Sequence, residues 1–188
     1  MKHLIFLSAL LLCLAHGSAQ YYEEKILLSA GVNMISNPNA DNIRPAIGEV
    51  DFKSPFFAAL EFKPHRLFGL EGVLLSNKIK VDEPVGSGSY RSYDYRYFAA
   101  DLNAKLYFED LLTRRYQNDW DLFLVGGGGI YRMAGDNHPT INIGGGGQFW
   151  LSKHFGLGLK ALGKIGLGTG FEQLNNYYQV NLGLMYRI

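Results

Sequence analysis

Period-two alternation of apolar and polar residues constrains this chain more than any other feature. From Tyr97 to Phe108 the even positions Phe98, Ala100, Leu102, Ala104, Leu106 and Phe108 are all apolar, while Tyr97, Asp101, Asn103, Lys105 and Tyr107 occupy odd ones. On a β-strand this makes one apolar and one polar face, whereas a helix would scatter both sets around its circumference. The stretch 178–188 repeats the pattern, setting Tyr178, Val180, Leu182, Leu184, Tyr186 and Ile188 against Gln179, Asn181, Gly183 and Arg187. No segment after the first twenty residues approaches the roughly 18 consecutive apolar residues of a transmembrane helix, so only strands remain to cross a membrane.

Six further strands follow from the same reading, over about 26–34, 56–63, 67–79, 120–131, 140–151 and 155–165, with the weakest alternation in 67–79. Eight strands of about 8 to 13 residues suit the roughly 9 to 11 that a tilted strand needs to cross a bilayer. Long polar connections, at 35–55, 80–95, 132–139 and 166–175, follow the odd-numbered strands. The links Pro64-His65-Arg66 and Ser152-Lys153-His154 are short, and 109–119 is intermediate. Outer-membrane barrels combine short periplasmic turns with longer external loops, and an even strand number returns both ends to the periplasmic side. The expected fold is all-β, an eight-stranded antiparallel up-and-down transmembrane β-barrel.

The first residues read as an export leader. Lys2 and His3 precede an apolar run from Leu4 to Ala15, and Gly17-Ser18-Ala19 offers small residues for cleavage before Gln20. Residues 1–19 are therefore expected to be removed, leaving 20–188 as a single barrel domain in the outer membrane of a Gram-negative bacterium. Cys13, the one cysteine, lies in the leader behind Leu12 rather than behind a small residue, which argues against a lipid anchor. The exported chain then has no thiol, which excludes disulfides, cysteine nucleophiles and zinc–thiolate sites. Of 18 Lys and Arg, Lys2 belongs to the leader, so the remainder balances 17 Asp and Glu and offers no footprint for nucleic acid.

Alternation alone does not distinguish a membrane barrel from a soluble one that hides its apolar face inside. Two features favour the membrane. The polar faces carry Glu61, Glu71, Asp101, Lys105, Lys160, Lys164 and Arg187, which suit pairing in a narrow lumen. Aromatic residues gather near strand ends, at Phe56, Phe68, Tyr97, Phe108, Trp120, Tyr131, Phe155, Tyr178 and Tyr186, where a membrane interface favours them.

The layout resembles the small eight-stranded outer-membrane barrels of the OmpA/OmpX type, especially those of Bacteroidota-like bacteria. The residues that carry the resemblance are Tyr97 through Phe108, the run Val125-Gly126-Gly127-Gly128-Gly129, and Gly144 to Trp150. The resemblance spans the exported chain as a pattern. It implies the fold, an outer-membrane location and contact with outer-membrane lipid and lipopolysaccharide, and it specifies fold better than role.

The two glycine runs continue into more strand rather than into a helix, so a phosphate-cradling loop is not indicated. Glycine instead relieves crowding in a tightly curved barrel. Gly126, Gly128, Gly145 and Gly147 share the lipid-facing parity and are candidates for a shallow groove that takes a lipid chain or another protein, as in an accessory subunit of an outer-membrane secretion or assembly complex. Glu61, Glu71, Asp101, Lys105, Lys160 and Lys164 are the candidates for a lumen charge network, with Lys63 and Arg187 expected to be solvated at the lumen mouths. Eight strands leave room for side chains but not for a water pore. The enzymatic alternative is lipid A modification by His138, beside Asp136, with Ser87, Ser89 or Ser92. No spacing demands it, and the residues around His138 also read as an ordinary turn. The expectation is a non-enzymatic barrel with a structural or interaction role and no cofactor or metal.

Overall fold

The computed structural model describes residues 26–36, 50–51, 55–84, 90–108, 120–133, 135–167 and 176–188. The expected leader, the 109–119 link, Ser87 and Ser89, and most of the 35–55 and 166–175 links lie outside the described residues. The strands are β1 (Ile26–Ser36), β2 (Val50–Asp51), β3 (Phe56–His65), β4 (Phe68–Pro84), β5 (Tyr90–Tyr107), β6 (Trp120–Met133), β7 (Asp136–Trp150), β8 (Phe155–Gly166) and β9 (Asn176–Arg187). From β3 to β9 each strand pairs antiparallel with the next, and β1 closes the sheet by pairing with β3 on one side and β9 on the other. β2 adds a two-residue rung to the end of β1. The result is a closed eight-stranded antiparallel barrel.

Alternation assigns the faces as read from the sequence. Along β5, Leu102 and Leu106 point outward, and Leu102 is 67% exposed; Asp101, Asn103 and Lys105 point inward and are buried. The other strands extend the outward apolar surface through Leu60, Leu74, Leu124, Ile143, Leu159 and Leu184. An exposed apolar belt all the way around a barrel would be insoluble in water and is matched to hydrocarbon. From Phe98 to Phe108 the strand rises about 33 Å along itself, and about 25 Å along a barrel axis from which it tilts by about 40°, the height of such a belt.

Two expectations about the connections are corrected. The 80–95 link is mostly sheet, because β4 and β5 stay in register out to Pro84 opposite Tyr90. Its polar residues mark strand beyond the belt rather than loop: Ile79, Tyr95 and Tyr97 keep the inward parity while Lys78, Asp94 and Arg96 keep the outward one. The 132–139 link contracts to a tight hairpin that closes at Met133 opposite Asp136. Gly135 has φ 103°, a conformation that glycine adopts without the Cβ clash of other residues. The opposite barrel end carries the short turns at 66–67 and 151–154.

The aromatic assignment divides. Phe56, Phe68, Trp120, Phe155, Tyr178 and Tyr186 are exposed on the outside, and Phe155 and Tyr186 touch with ring centroids 4.9 Å apart. Tyr97 and Tyr131 are not part of an interfacial girdle; both turn inward and are buried. Their odd parity, shared with Asp101 and Val125, overrides the strand-end position.

Leu102→Arg tests the outward assignment. It should reduce the stability of the barrel folded in vesicles by about 2 to 4 kcal/mol, measured by denaturant titration, because a cation at mid-belt meets hydrocarbon. Wild-type stability in that variant would place position 102 away from lipid.

Candidate functional site

The lumen is filled in two layers. Toward the short-turn end, inward positions of β3, β4, β5 and β8 bring charges together that lie far apart in sequence. Lys105 Nζ lies 2.6 Å from Glu61 Oε2 and 2.8 Å from Glu71 Oε1, and Lys160 pairs with the other oxygen of Glu71. The Tyr107 hydroxyl donates to Glu61 and accepts from Gln148 Nε2 at 3.1 Å. Nearer the long-hairpin end, Lys164 Nζ contacts both oxygens of Asp101 at 2.8 and 2.7 Å. The six candidate charges are all buried and divide into these two clusters. Such burial is tolerable only because every carboxylate has an ammonium partner with hydrogen-bond geometry.

Lys63 departs from expectation. It is buried rather than solvated, with its ammonium 3.6 Å from the centroid of the Tyr107 ring. Arg187 is half-buried with its guanidinium 3.6 Å from the Trp150 ring, whose indole nitrogen donates to Asp121 at 3.0 Å. An inward aromatic beside each cation replaces part of the lost hydration.

Above the Glu61–Glu71–Lys105–Lys160 cluster lies an apolar and aromatic layer that includes Ile35, Val73, Leu75, Ile79, Ala99, Met133 and three tyrosines, and the Asp101–Lys164 pair sits at its lower edge, with Val73 opposite Asp101 and Tyr177 opposite Lys164. Tyr97 stacks on Tyr131 with centroids 5.5 Å apart, meets Tyr177 edge-on, and shares a 2.6 Å hydroxyl–hydroxyl hydrogen bond with Tyr177. Amide side chains cross-link the wall. Asn33 Nδ2 donates to the backbone oxygens of Phe56 and Ser76 at 2.6 and 3.0 Å, and Asn77 donates to Asn33 Oδ1 at 2.9 Å. Asn142 donates to Asn103 at 3.1 Å. A lumen cavity of about 20 Å³, bordered by Glu71, Lys105, Lys160, Gln148 and Asn181, is the size of about one water molecule.

Some of the glycines serve the inside. A Cβ at Gly69 would collide with Glu61 Oε1, and one at Gly129 with Asp101 Oδ1 and, at 2.8 Å, with the Ala100 carbonyl oxygen. These two inward glycines make room for two of the buried carboxylates. The candidate groove glycines point outward, but they do not form one continuous trough. Gly126 and Gly128 lie opposite Ile143 and Ile141, and Gly145 and Gly147 opposite Leu124 and Leu122. A Cβ at Gly126 would meet nothing within 4 Å, whereas one at Gly145 would lie 2.9 Å from the Phe123 carbonyl oxygen.

His138 lies on β7, not in an external loop. It is opposite Tyr131 in the register, and their rings stack with centroids 4.9 Å apart. Among the described residues no three His, Cys, Asp or Glu side chains are grouped to hold a metal.

Belt, closed sheet and packed lumen together define a small membrane β-barrel. Among solved structures the chain is similar to OprG from Pseudomonas aeruginosa, with TM-score 0.63 at 10% identity over 88% of this chain and 96% of that one. It is similar also to the N-terminal barrel domain of Pseudomonas aeruginosa OprF, with TM-score 0.55 at 9% identity over 88% and 98%. Ail, the attachment invasion locus protein of Yersinia pestis, gives TM-score 0.52 at 14% identity over 89% and 100%. These likenesses show the shared fold of small outer-membrane barrels. No protein-family profile and no curated protein matches the sequence.

Two substitutions and an outward control test the lumen. Glu71→Gln removes one carboxylate from two lysines and should destabilise the barrel by about 3 to 5 kcal/mol, the usual result of breaking a buried pair on one side. An unchanged unfolding midpoint in vesicles would show that Glu71 is not desolvated. Gly129→Ala should likewise lower the midpoint or prevent folding, whereas Gly126→Ala should leave it within about 0.5 kcal/mol. Equal tolerance at both positions would remove the role assigned to the inward glycine.

Proposed function

We propose that this chain is a non-enzymatic barrel of a Gram-negative outer membrane with a structural or interaction role. In this reading the long β4–β5 hairpin and the β6–β7 hairpin lie on the external side, the short turns face the periplasm, and the lumen carries no solute. The observation that carries the proposal is the filled lumen: a charge-paired layer beneath an aromatic layer inside a closed, apolar-belted sheet. A barrel so filled presents its chemistry only at its ends and on its lipid-facing wall. The resemblance to OmpA/OmpX-type barrels of Bacteroidota-like bacteria and the export leader belong to the same proposal. Outer-membrane lipid, including lipopolysaccharide, is the proposed partner on the wall. The stacking of His138 on Tyr131 supports a packing role for that histidine rather than a general-base role.

Single cysteines on an otherwise thiol-free exported chain test the orientation. A cysteine replacing Ser87, between the paired residues Pro84 and Tyr90, should react with a membrane-impermeant maleimide in intact cells, and one replacing Ser152 should react only after lysis. The reverse pattern would invert the topology. Purified barrel in planar bilayers should show no steady conductance, and an open channel in the wild-type protein would overturn the closed-lumen reading.

A further inference from the structure

We propose that the outward face of β4, β5 and β6 at the long-hairpin end is a docking site for a phosphorylated glycolipid of the lipid A class. This rests on the orientation proposed above, which places that end in the external leaflet. Lys78 on β4 lies opposite Arg96 on β5, and Phe98, the next outward residue of β5, lies opposite Arg132 on β6. Opposed residues on one face have Cβ atoms about 4.5 to 5.5 Å apart and diagonal ones about 7 to 8 Å, so the three cations form a triangle across neighbouring strands. Arg96 and Arg132 are exposed and Lys78 is half-buried. Among the described residues no carboxylate pairs with any of the three. The nearest outward acid on β5, Asp94, lies opposite Lys80.

Like charges directly opposed on a sheet cost stability, so this triangle is stabilised by an anion placed over it. Its position is informative: Phe98 and Ile130, both exposed apolar residues, lie at its lower margin where the belt begins. A lipid phosphate is the anion found at that depth, and an Arg pair offers the planar forks that bind phosphate. Beneath the triangle, Ala100 lies opposite Ile130, Leu102 opposite Gly128 and Ala104 opposite Gly126. Ile130 stands between Arg132 and the glycines on this face, and below it the missing side chains at Gly126 and Gly128 leave a short shallow lane along β6 for the end of an acyl chain. Three cations spread over two rungs suit a headgroup larger than one phosphodiester, which favours a bisphosphorylated glycolipid over a phospholipid.

The test is lipid retention by purified full-length barrel in mild detergent, read by native mass spectrometry with lipid A, dephosphorylated lipid A and phosphatidylglycerol as probes. Wild type should retain lipid A and discriminate against both other probes. Arg96→Gln and Arg132→Gln should each weaken lipid A binding on the order of tenfold, as expected for losing a charge-assisted contact. Both should leave heat-modifiable gel migration intact, since each substitution lowers like-charge repulsion. Gly128→Leu, which fills the lane, should weaken lipid A and its dephosphorylated form alike. Equal retention by wild type and the Arg96→Gln/Arg132→Gln double variant, equal binding of phosphatidylglycerol, or no lipid A retention would each overturn the site. Dimers of the barrel lost in Gly128→Leu would assign the lane to a second copy and also overturn it. Cysteine labelling separates this from the orientation: reversed labelling with phosphate-dependent binding removes the orientation alone, and normal labelling with unchanged variant affinity removes the site alone.

Discussion

Closure of β1 on β9 is the constraint from which the rest of this structure follows. The two strands run in register from Leu27 opposite Arg187 to Ile35 opposite Gln179, so the sheet has no free edge along its belt. In hydrocarbon an unpaired backbone N–H or C=O has no water to turn to, and an open sheet of these same strands would expose two rows of them. Closure with only eight strands then dictates a narrow lumen. The side chains that alternate away from lipid have nowhere to go but into contact with one another.

That crowding explains both the glycines and the charges. At two inward positions the side chain is only hydrogen, and the space at Gly69 and Gly129 is taken by Glu61 and Asp101 from adjacent strands. The carboxylates in turn hold Lys105 and Lys164 in place. A glycine on one strand thus makes room for a charge on the next, and the Asp101 carboxylate so placed on β5 reaches Lys164 on β8. Loss of one member leaves its partners buried without compensation, so the network resists piecemeal change.

The facing of residues was legible from sequence because parity is a local property. Leu102 and Asn103 are adjacent, and one being outward compels the other to be inward. The pairing was not legible. Lys160 and Glu71 lie 89 positions apart, and their meeting depends on barrel stagger, which no local pattern encodes. The hairpin lengths were obscured for another reason. Polarity in Lys78, Asp94 and Arg96 resembles loop composition, yet beyond the belt an outward polar residue is simply the wet face of a strand. Tyr97 and Tyr131 show a third kind of ambiguity. A tyrosine suits a membrane interface and a wet–dry boundary inside a lumen equally well, so its chemistry does not choose and its parity does. Lys63 shows that a charge near a strand end is not thereby solvated: its position in the chain suggests a lumen mouth, and the Tyr107 ring covers it.

The order of the two layers has a consequence for what the barrel can do. Ion pairs weaken when water reaches them, and the tyrosine layer lies between the Glu71–Lys105–Lys160 cluster and the long-hairpin mouth. The Tyr97–Tyr177 hydrogen bond and the stack on Tyr131 thus stand on the long-hairpin side of that cluster. The same wall continues past the belt, since β4 and β5 stay in register from the packed lumen to Pro84 and Tyr90. Charge locked inside, as in the Glu71–Lys105–Lys160 cluster, is spent on the scaffold, whereas Lys78, Arg96 and Arg132 face outward at the rim, apart from that network.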